Sequence, residues 1–183
     1  MTSASPAVLA VARDDGHRFS KPVRDSITLV ADHGVEGDAH AGATVQHLHD
    51  KRHHPARPNL RQVHLLHAEL FAQVAERGHV VEPGQLGENI TTEGIDLLDL
   101  PARTRLRLGD DAVVEVTGLR NPCTQINGLS AGLMKELVRV DDDGATVRLS
   151  GVMSVVVVGG VVRPGDRIDV VLPDGAPEPL KVV

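Results

Sequence analysis

The sequence predicts a mostly β fold: a β-rich, barrel-like domain with a few inserted helices. Short apolar runs of strand-like composition recur along the chain, and glycine, proline, asparagine and aspartate residues separate them. Few segments have the residue spacing of a helix, and these segments do not alternate regularly with the strands. A doubly wound parallel sheet requires that alternation, so the pattern argues against such a sheet.

Length and composition bound the kind of protein. A chain of 183 residues is most consistent with a single domain, here expected to span residues 1–183, and it is long enough to bury a core. Because the chain has two Phe and no Trp or Tyr, the core must be built from Val, Leu, Ile and Ala. The net charge of -6 argues against a general nucleic-acid-binding protein.

The number of cysteines and the first residues of the chain indicate the cellular compartment. One cysteine excludes an internal disulfide framework and fits a reducing compartment. Residues 1–6 lack the basic start that leads into the apolar core of a signal peptide. No apolar run reaches the roughly 20 residues needed to span a bilayer. We therefore expect a soluble, cytoplasmic protein that does not associate with membranes.

The first third of the chain is predicted to contain two short strands and two loops. The strands are Ala7–Ala12 and Ile27–Val30, and the polar segment between them contains Lys21. The segment 34–42, the glycine loop, has three glycines in nine residues. This density predicts backbone that is held in turns or brought close to a ligand.

Two polar residues of the glycine loop, Asp38 and His40, are candidates to point into a site. The alternative is an ordinary turn with solvated side chains. Four more histidines follow in a polar segment, at His47, His49, His53 and His54. No cysteine or carboxylate array completes a zinc pattern there, so we interpret the segment as a solvated loop.

The clearest helix is predicted over residues 68–77. Its apolar residues Leu70, Phe71, Val74 and Ala75 recur at helical spacing, and Gly78 lies where a C-terminal cap belongs. A strand over 61–66 leads into this helix, so the apolar face of the helix is predicted to pack in the core.

A β-hairpin is predicted over residues 103–117. Leu106 and Leu108 alternate with Arg105 and Arg107, which is typical of a half-buried strand with a basic outer face. Gly109-Asp110-Asp111 then forms a turn into a returning strand. Further short strands are predicted near 90–92, 146–149, 154–158, 161–163 and 167–172, with a short helix at 133–138 and an extended tail from 173.

The segment Arg120-Asn121-Pro122-Cys123 contains the single cysteine, between a predicted strand and a predicted helix. Asn121 suits the N-cap and Pro122 the first helical position, so Cys123 would lie in the first helical turn. Unpaired amides and the helix dipole favour a thiolate there, and Arg120 adds positive charge. The alternative is that Cys123 is a small buried hydrophobe.

Six segments in a fixed order resemble the MOSC domain family. They are GVEGDAHAG (34–42), RQVHL (61–65), GENITT (87–92), LG (108–109), EVTGLRNPC (115–123) and GVVRPGD (160–166). This domain is found at the C-terminus of molybdenum cofactor sulfurases and as stand-alone bacterial proteins. The resemblance covers about residues 27–172, and it implies a β-rich barrel.

The resemblance also implies a pocket for the molybdenum cofactor (molybdopterin), with Cys123 as the molybdenum ligand or as a sulfur carrier. A soft thiolate is suited to both roles. Arg61, Arg120, Lys21 and the backbone of residues 37–42 are candidates to bind the cofactor phosphate. Candidates for hydrogen bonds to the pterin are Gln62, Asn89, Asn121 and His40, and Asp38 is counted with the cofactor-binding residues.

Three functions follow from the resemblance. The first is reduction of N-hydroxylated compounds, a small-molecule substrate class, with electrons from a donor protein. The second is sulfur transfer through a persulfide on Cys123, and the third is non-catalytic carriage of the cofactor. Pyridoxal phosphate binding is associated with the family only. The sequence contains no pyridoxal-dependent desulfurase domain, so any sulfur is expected to come from a partner protein. Where an aromatic pocket residue is expected, the chain has Gly151-Val152-Met153.

Overall fold

A computed structural model describes residues 5–46 and 52–183, and within them the protein is mostly β with few helices, as predicted. The strands are β1 (Ala7–Ala12), β2 (Val23–Arg24), β3 (Ile27–Val30), β4 (Gly34–Val35), β5 (Val63–His67), β6 (Ile90–Glu93), β7 (Arg105–Leu108), β8 (Ala112–Leu119), β9 (Val138–Val140), β10 (Thr146–Arg148), β11 (Val152–Val158), β12 (Gly160–Val162) and β13 (Ile168–Val171). The helices are α1 (Glu69–Ala75), a 3₁₀-helix (Thr124–Gly128) and α2 (Leu133–Leu137).

Eight strands form one mixed sheet in the order β13-β7-β8-β11-β5-β6-β1-β2. The β5–β6 pair is parallel and the other neighbouring strands are antiparallel. Near the two ends of the sheet, a single bridge joins Ala7 to Arg167. No closed barrel forms among the described residues, because β2 continues the sheet beyond β1 and that bridge does not extend into a ladder.

The period-two pattern of the β7–β8 hairpin is confirmed. Leu106 and Leu108 are fully buried, whereas Arg105 and Arg107 are exposed. Residue Leu108 pairs with Ala112 across the predicted turn. The buried side chains of this hairpin join the aliphatic core that also includes residues of β1, β3, β5 and β11. Alternation in the sequence therefore identified one face of the core correctly.

The helices cover a second apolar cluster beside the sheet. Leu70 and Val74 of α1 pack there with Ile126 of the 3₁₀-helix and Leu133 of α2. Helix α1 is shorter than predicted, but its end is confirmed: Gly78 has a φ of 87°, and His79 N donates to Val74 O at 3.0 Å. In residues 5–46 and 52–183 no helix has the length and apolarity to cross a membrane.

The tail from residue 173 returns to the sheet. Leu119 N donates to Lys181 O at 2.8 Å, and Val183 N donates to Leu119 O at 3.3 Å. A Cβ at Gly118 would collide with the Lys181 carbonyl oxygen and with the Val183 side chain, so this contact requires glycine. The end of the tail is thereby held against the C-terminal end of β8, next to Arg120.

Candidate functional site

A cavity of about 550 Å³ lies where the loop after β1, the glycine loop, the start of β5 and the end of β8 meet. Its charged lining residues are all basic or histidine: Arg18, Lys21, Arg57, Arg61, Arg120, His17, His40 and His64. Within the described chain, no aspartate or glutamate is among the lining residues. The protein has a net charge of -6, so the charge of this cavity lining is opposite in sign to that of the whole chain.

Cys123 lies on the cavity wall and is partly exposed. Its backbone is extended (φ -114°, ψ 163°), and it is the N-cap residue of the 3₁₀-helix. The predictions of Asn121 as N-cap, Pro122 as first helical residue and Cys123 in the first helical turn are therefore wrong, because the helix begins only at Thr124, with Cys123 as its N-cap. Cys123 Sγ donates to Gln125 Oε1 at 3.5 Å, a contact within its own short helix.

Arg120 is the deepest guanidinium of the cavity, with 8% of its surface exposed. Its guanidinium lies 5.6 Å from the ring centroid of Phe19. Burial lowers the pKa of Arg120 from its usual value, but an arginine remains a cation at neutral pH. The buried Nη1 atom has no hydrogen-bond partner among the described residues. A buried donor of a cation without an acceptor is costly, so this wall of the cavity is suited to an anion.

Lys21 and Asp38 form a buried ion pair at 2.8 Å. Asp38 Oδ2 also accepts from Asn89 Nδ2 at 3.0 Å, and Oδ1 accepts from His40 N at 2.9 Å and contacts His40 Nδ1 at 3.3 Å. Burial opposes ionisation of Asp38, but the hydrogen bonds from His40 and the charge of Lys21 outweigh it and lower its pKa. Asp38 is therefore a fixed anion behind the cavity wall.

His64 is a buried, neutral histidine on the cavity. Burial, with the Arg120 charge as the next cause, lowers its pKa well below the usual value. Its Nε2 atom donates to Ser150 O at 2.7 Å. Ser150 Oγ in turn donates to Arg120 O at 3.3 Å, so His64 contacts the loop that packs against the Arg120 backbone.

The structure brings seven predicted site residues to the cavity: Lys21, His40, Arg61, Asn89, Arg120, Asn121 and Cys123. Asp38 lies directly behind them. Gln62 does not line the cavity, because it is buried in the sheet and its Oε1 accepts from Val156 N at 2.9 Å. The side chain of Asn89 bonds to Asp38 and to Ala12 O, at 3.2 Å, so it serves the framework of the wall.

The glycine loop does not offer free amides for a phosphate. The amides of residues 38–42 donate in turn to Val35 O, Asp14 O, Asp38 Oδ1, Asp38 O and His33 O. The prediction that this backbone binds phosphate is therefore wrong for residues 38–42, because each of these donors already has an acceptor. Cationic side chains remain as the anion-binding groups of the cavity.

Several lining residues were missed from the sequence, among them Phe19, Arg57, His64, Gln125 and Val183. Phe19 supplies the aromatic wall that was expected near Gly151-Val152-Met153, where Met153 lines the cavity instead. His64 had a usable signal, since it follows Arg61 and Gln62 in the same motif. Phe19 and Val183 had none, because they reach the cavity from distant segments.

The histidine segment lies only partly within the described residues. His53 and His54 are exposed, and His47 and His49 lie outside the described residues. No group of three or more histidine, cysteine, aspartate or glutamate residues in the described segments is arranged to hold a metal ion.

The fold and the cavity together define a β-rich protein with a cationic cavity that carries one thiol. The chain belongs to the MOSC domain family, whose sequence model matches residues 40–169. That range contains Cys123 and most of the cavity lining. At the level of the family, the MOSC domain is associated with molybdenum cofactor binding.

Solved structures show the same fold. The YuaD protein from Bacillus subtilis has a TM-score of 0.70 and 22% identity, over 90% of this chain and 95% of that one. YiiM from Geobacillus stearothermophilus has a TM-score of 0.61 and 16% identity, over 91% and 75% of the two chains. YiiM from Escherichia coli has a TM-score of 0.59 and 19% identity, over 93% and 72%. No curated protein matches the sequence.

Proposed function

We propose that this MOSC protein binds the molybdenum cofactor in the cavity, with Cys123 as the molybdenum ligand, and reduces N-hydroxylated compounds. One observation carries the proposal: a partly exposed thiol shares a cavity of about 550 Å³ with the buried cations Lys21 and Arg120. The residues fit such a cofactor. A thiolate is a soft ligand that suits molybdenum, and the unpaired Nη1 of Arg120 is a donor for a phosphate oxygen.

The size and chemistry of the cavity support the same assignment. Its volume lies within the range of about 300–1,000 Å³ that is usual for small-molecule and cofactor sites. Phe19 and Met153 add apolar surface for a planar ring, and the basic residues around them balance an anionic ligand. The Arg120 backbone is held by its N–H, which donates to Gly151 O at 3.0 Å, and its guanidinium lies against the Phe19 ring.

The chain's own residues have distinct parts in this function. When bound, the cofactor supplies a two-electron redox centre. Cys123 would hold it through sulfur, and Arg120, whose Nη1 has no partner among the described residues, would bind its anionic group. The net reaction is R–NHOH + 2e⁻ + 2H⁺ → R–NH₂ + H₂O, with electrons from an external donor.

A sulfur carrier is the second candidate function. The partial exposure of the Cys123 thiol favours it, because a thiol on an open cavity wall can also accept a persulfide sulfur from a donor protein. A cofactor carrier would use the same cavity without turnover.

One experiment separates these functions. The full chain is purified from a host that makes the cofactor, and its molybdenum, pterin and persulfide contents are measured together with reduction of an N-hydroxylated base by reduced methyl viologen. Molybdenum and pterin with turnover support the proposal. Persulfide without molybdenum supports the sulfur carrier, and bound cofactor without turnover supports the cofactor carrier.

The Cys123→Ser variant tests the thiol itself. A serine hydroxyl is a hard oxygen, so it replaces neither a thiolate on molybdenum nor a persulfide carrier. Reductase activity should be lost. The fold should persist, at a cost on the order of 1 kcal/mol or less, because the side chain is partly exposed. Thr146→Ser, on the exposed side of β10, serves as the control. A Cys123→Ser protein that retains full activity would remove Cys123 from the site.

A further inference from the structure

We infer that His40 is the proton donor of the cavity, oriented by Asp38, and that it protonates the hydroxyl that leaves an N-hydroxylated substrate. The inference rests on the proposed function and assigns a catalytic residue to it. Breaking the N–O bond releases the oxygen as water, so that oxygen requires a proton as it leaves. An acid placed on the cavity wall supplies that proton more readily than bulk water does.

The Asp38 carboxylate orients the His40 ring. Asp38 Oδ1 lies 3.3 Å from His40 Nδ1 and accepts from His40 N at 2.9 Å, so one oxygen binds the residue at both its ring and its backbone. The other oxygen bonds to Lys21 and Asn89. Since Asp38 is held as an anion, the ring keeps its proton on Nδ1. Nε2 is then the atom free to carry and release the second proton.

Exposure distinguishes the two members of this pair. The Asp38 side chain is 1% exposed, whereas the His40 side chain is 35% exposed and lines the cavity. The carboxylate therefore stays behind the wall and the ring reaches the substrate space. This exposure also lets solvent return a proton to His40 after each turnover.

The other cavity histidines lack this arrangement. His64 is buried and neutral, and its Nε2 donates to the Ser150 carbonyl, so its proton is committed to the framework. His17 meets His40 edge to face, with ring centroids 5.5 Å apart, and is exposed. Among the described cavity histidines, His40 is the one in contact with a carboxylate.

The charged and titratable groups that face His40 come from two loops. Asp38 lies in its own loop, and His17 approaches from the loop after β1. Lys21 and Asp14, of that same loop, act through Asp38: Lys21 Nζ is 2.8 Å from Asp38 Oδ2, and the backbone N of Asp14 donates to the same oxygen at 3.3 Å. Asp38 stabilises the imidazolium, and the cationic lining opposes it.

The proton step is balanced as follows. Breaking the N–O bond takes two electrons from the external donor, which a bound cofactor would supply. His40 Nε2–H gives its proton to the leaving oxygen, which departs as water, and His40 becomes neutral. The substrate nitrogen takes the second proton from solvent, and solvent reprotonates His40.

His40→Gln is the direct test, with the full chain loaded with cofactor. We expect molybdenum and pterin contents equal to wild type, a kcat lower by about 10²- to 10⁴-fold and a KM within a few-fold of wild type. The loss of rate with rising pH, which reports deprotonation of the acid, should disappear. Added imidazole should restore part of the rate in His40→Ala. His33→Gln, an exposed histidine outside the cavity, should behave as wild type.

A second readout does not depend on turnover. In the cofactor-free full chain, ¹⁵N NMR of the histidine rings should show neutral His40 with its proton on Nδ1, and Asp38→Asn should weaken this tautomer preference. A proton on Nε2 of the neutral ring, or no effect of Asp38→Asn, would overturn the pairing with Asp38.

The outcomes separate this inference from the proposed function. Turnover in wild type with an unchanged kcat and pH profile in His40→Gln overturns the inference and leaves the function standing. Loss of molybdenum in His40→Gln makes His40 a cofactor-binding residue and also overturns it. Loaded wild-type protein without any reductase turnover overturns the proposed function itself.

Discussion

Two buried carboxyl groups beside the cavity have pKa values shifted in opposite directions. Asp38 is held as an anion by His40 and Lys21, and its pKa is lowered. Glu88 is fully buried, and burial raises its pKa above 4.5 despite hydrogen bonds from Gly84 N at 2.6 Å and Thr91 Oγ1 at 3.1 Å. Its Oε2 atom has no partner in the described residues. Asp38 therefore stabilises the fold as an anion, whereas ionised Glu88 costs stability.

At the residue scale, Glu88→Gln should stabilise the protein at neutral pH. The folded-state pKa of Glu88 is raised, so stability is lost as pH rises from 4.5 through the folded-state value, and a neutral glutamine avoids that loss. We expect a gain on the order of 1 kcal/mol at pH 7, or about 2–4 °C in Tm for a chain of this length. The gain should vanish below pH 4.5. Urea unfolding across pH measures it.

Glu93→Gln provides the matched control, because Glu93 is exposed at the end of the same strand, β6. It should show no gain at either pH. A Glu88→Gln protein that is less stable than wild type at pH 7 would show that the charge of Glu88 is needed against Arg120 and Lys21.

At the scale of elements, the tail and β8 form one wall of the site. The tail pairs with Leu119 at Lys181 and Val183, and Val183 lines the cavity. The next residue after Leu119 is Arg120, and Cys123 follows three residues later. Packing of the tail on β8 therefore bears on the position of both functional side chains.

Gly118→Ala should separate the tail from β8. The added Cβ would meet the Lys181 carbonyl and the Val183 side chain, so the tail must shift, at a cost of roughly 1–3 kcal/mol. Amide exchange at Leu119 and Val183 should become faster, which NMR or mass spectrometry can measure. Gly128→Ala is the control, because its Cβ would meet no atom within 4 Å. Unchanged protection at both amides would contradict the packing argument.

At the scale of the whole molecule, the charge of the cavity is opposite to that of the protein. The net charge is -6, yet the described lining contains five arginine or lysine residues and no carboxylate. Arrangement in space, and not total charge, therefore determines which small molecules the cavity attracts.

The single cysteine allows a direct test of this field. The rate of alkylation by anionic iodoacetate divided by the rate by neutral iodoacetamide is the measure. This ratio should be higher for Cys123 than for a neutral model thiol. The preference should decline at high salt, because ions screen the cationic lining. Arg57→Gln should reduce it by about two- to five-fold. Arg24→Gln, on β2 outside the cavity, is the control. A ratio for Cys123 below that of the model thiol would mean that the net charge of the protein, and not the cavity lining, determines the reactivity towards anions.

Much of the fold could be predicted because it depends on local patterns. Alternation identified the buried face of β7, and Gly78 marked the end of α1. The ordered motifs led to the MOSC family, and the single cysteine stood out as the one candidate thiol. These features follow from side-chain periodicity, backbone freedom of glycine and the reactivity of a residue type, which a sequence displays directly.

What only the tertiary structure decided is which distant groups meet. The Lys21–Asp38–Asn89 cluster joins segments that are 17 and 51 residues apart, and Phe19, His64 and Val183 reach the cavity from three separate elements. In the same packing, Gln62 accepts a hydrogen bond from strand β11, and the amides of the glycine loop donate to other protein groups. Periodicity shows which face of an element is buried. The partner of that face, and thus the charge state and role of its polar groups, depends on how the strands are ordered in the sheet.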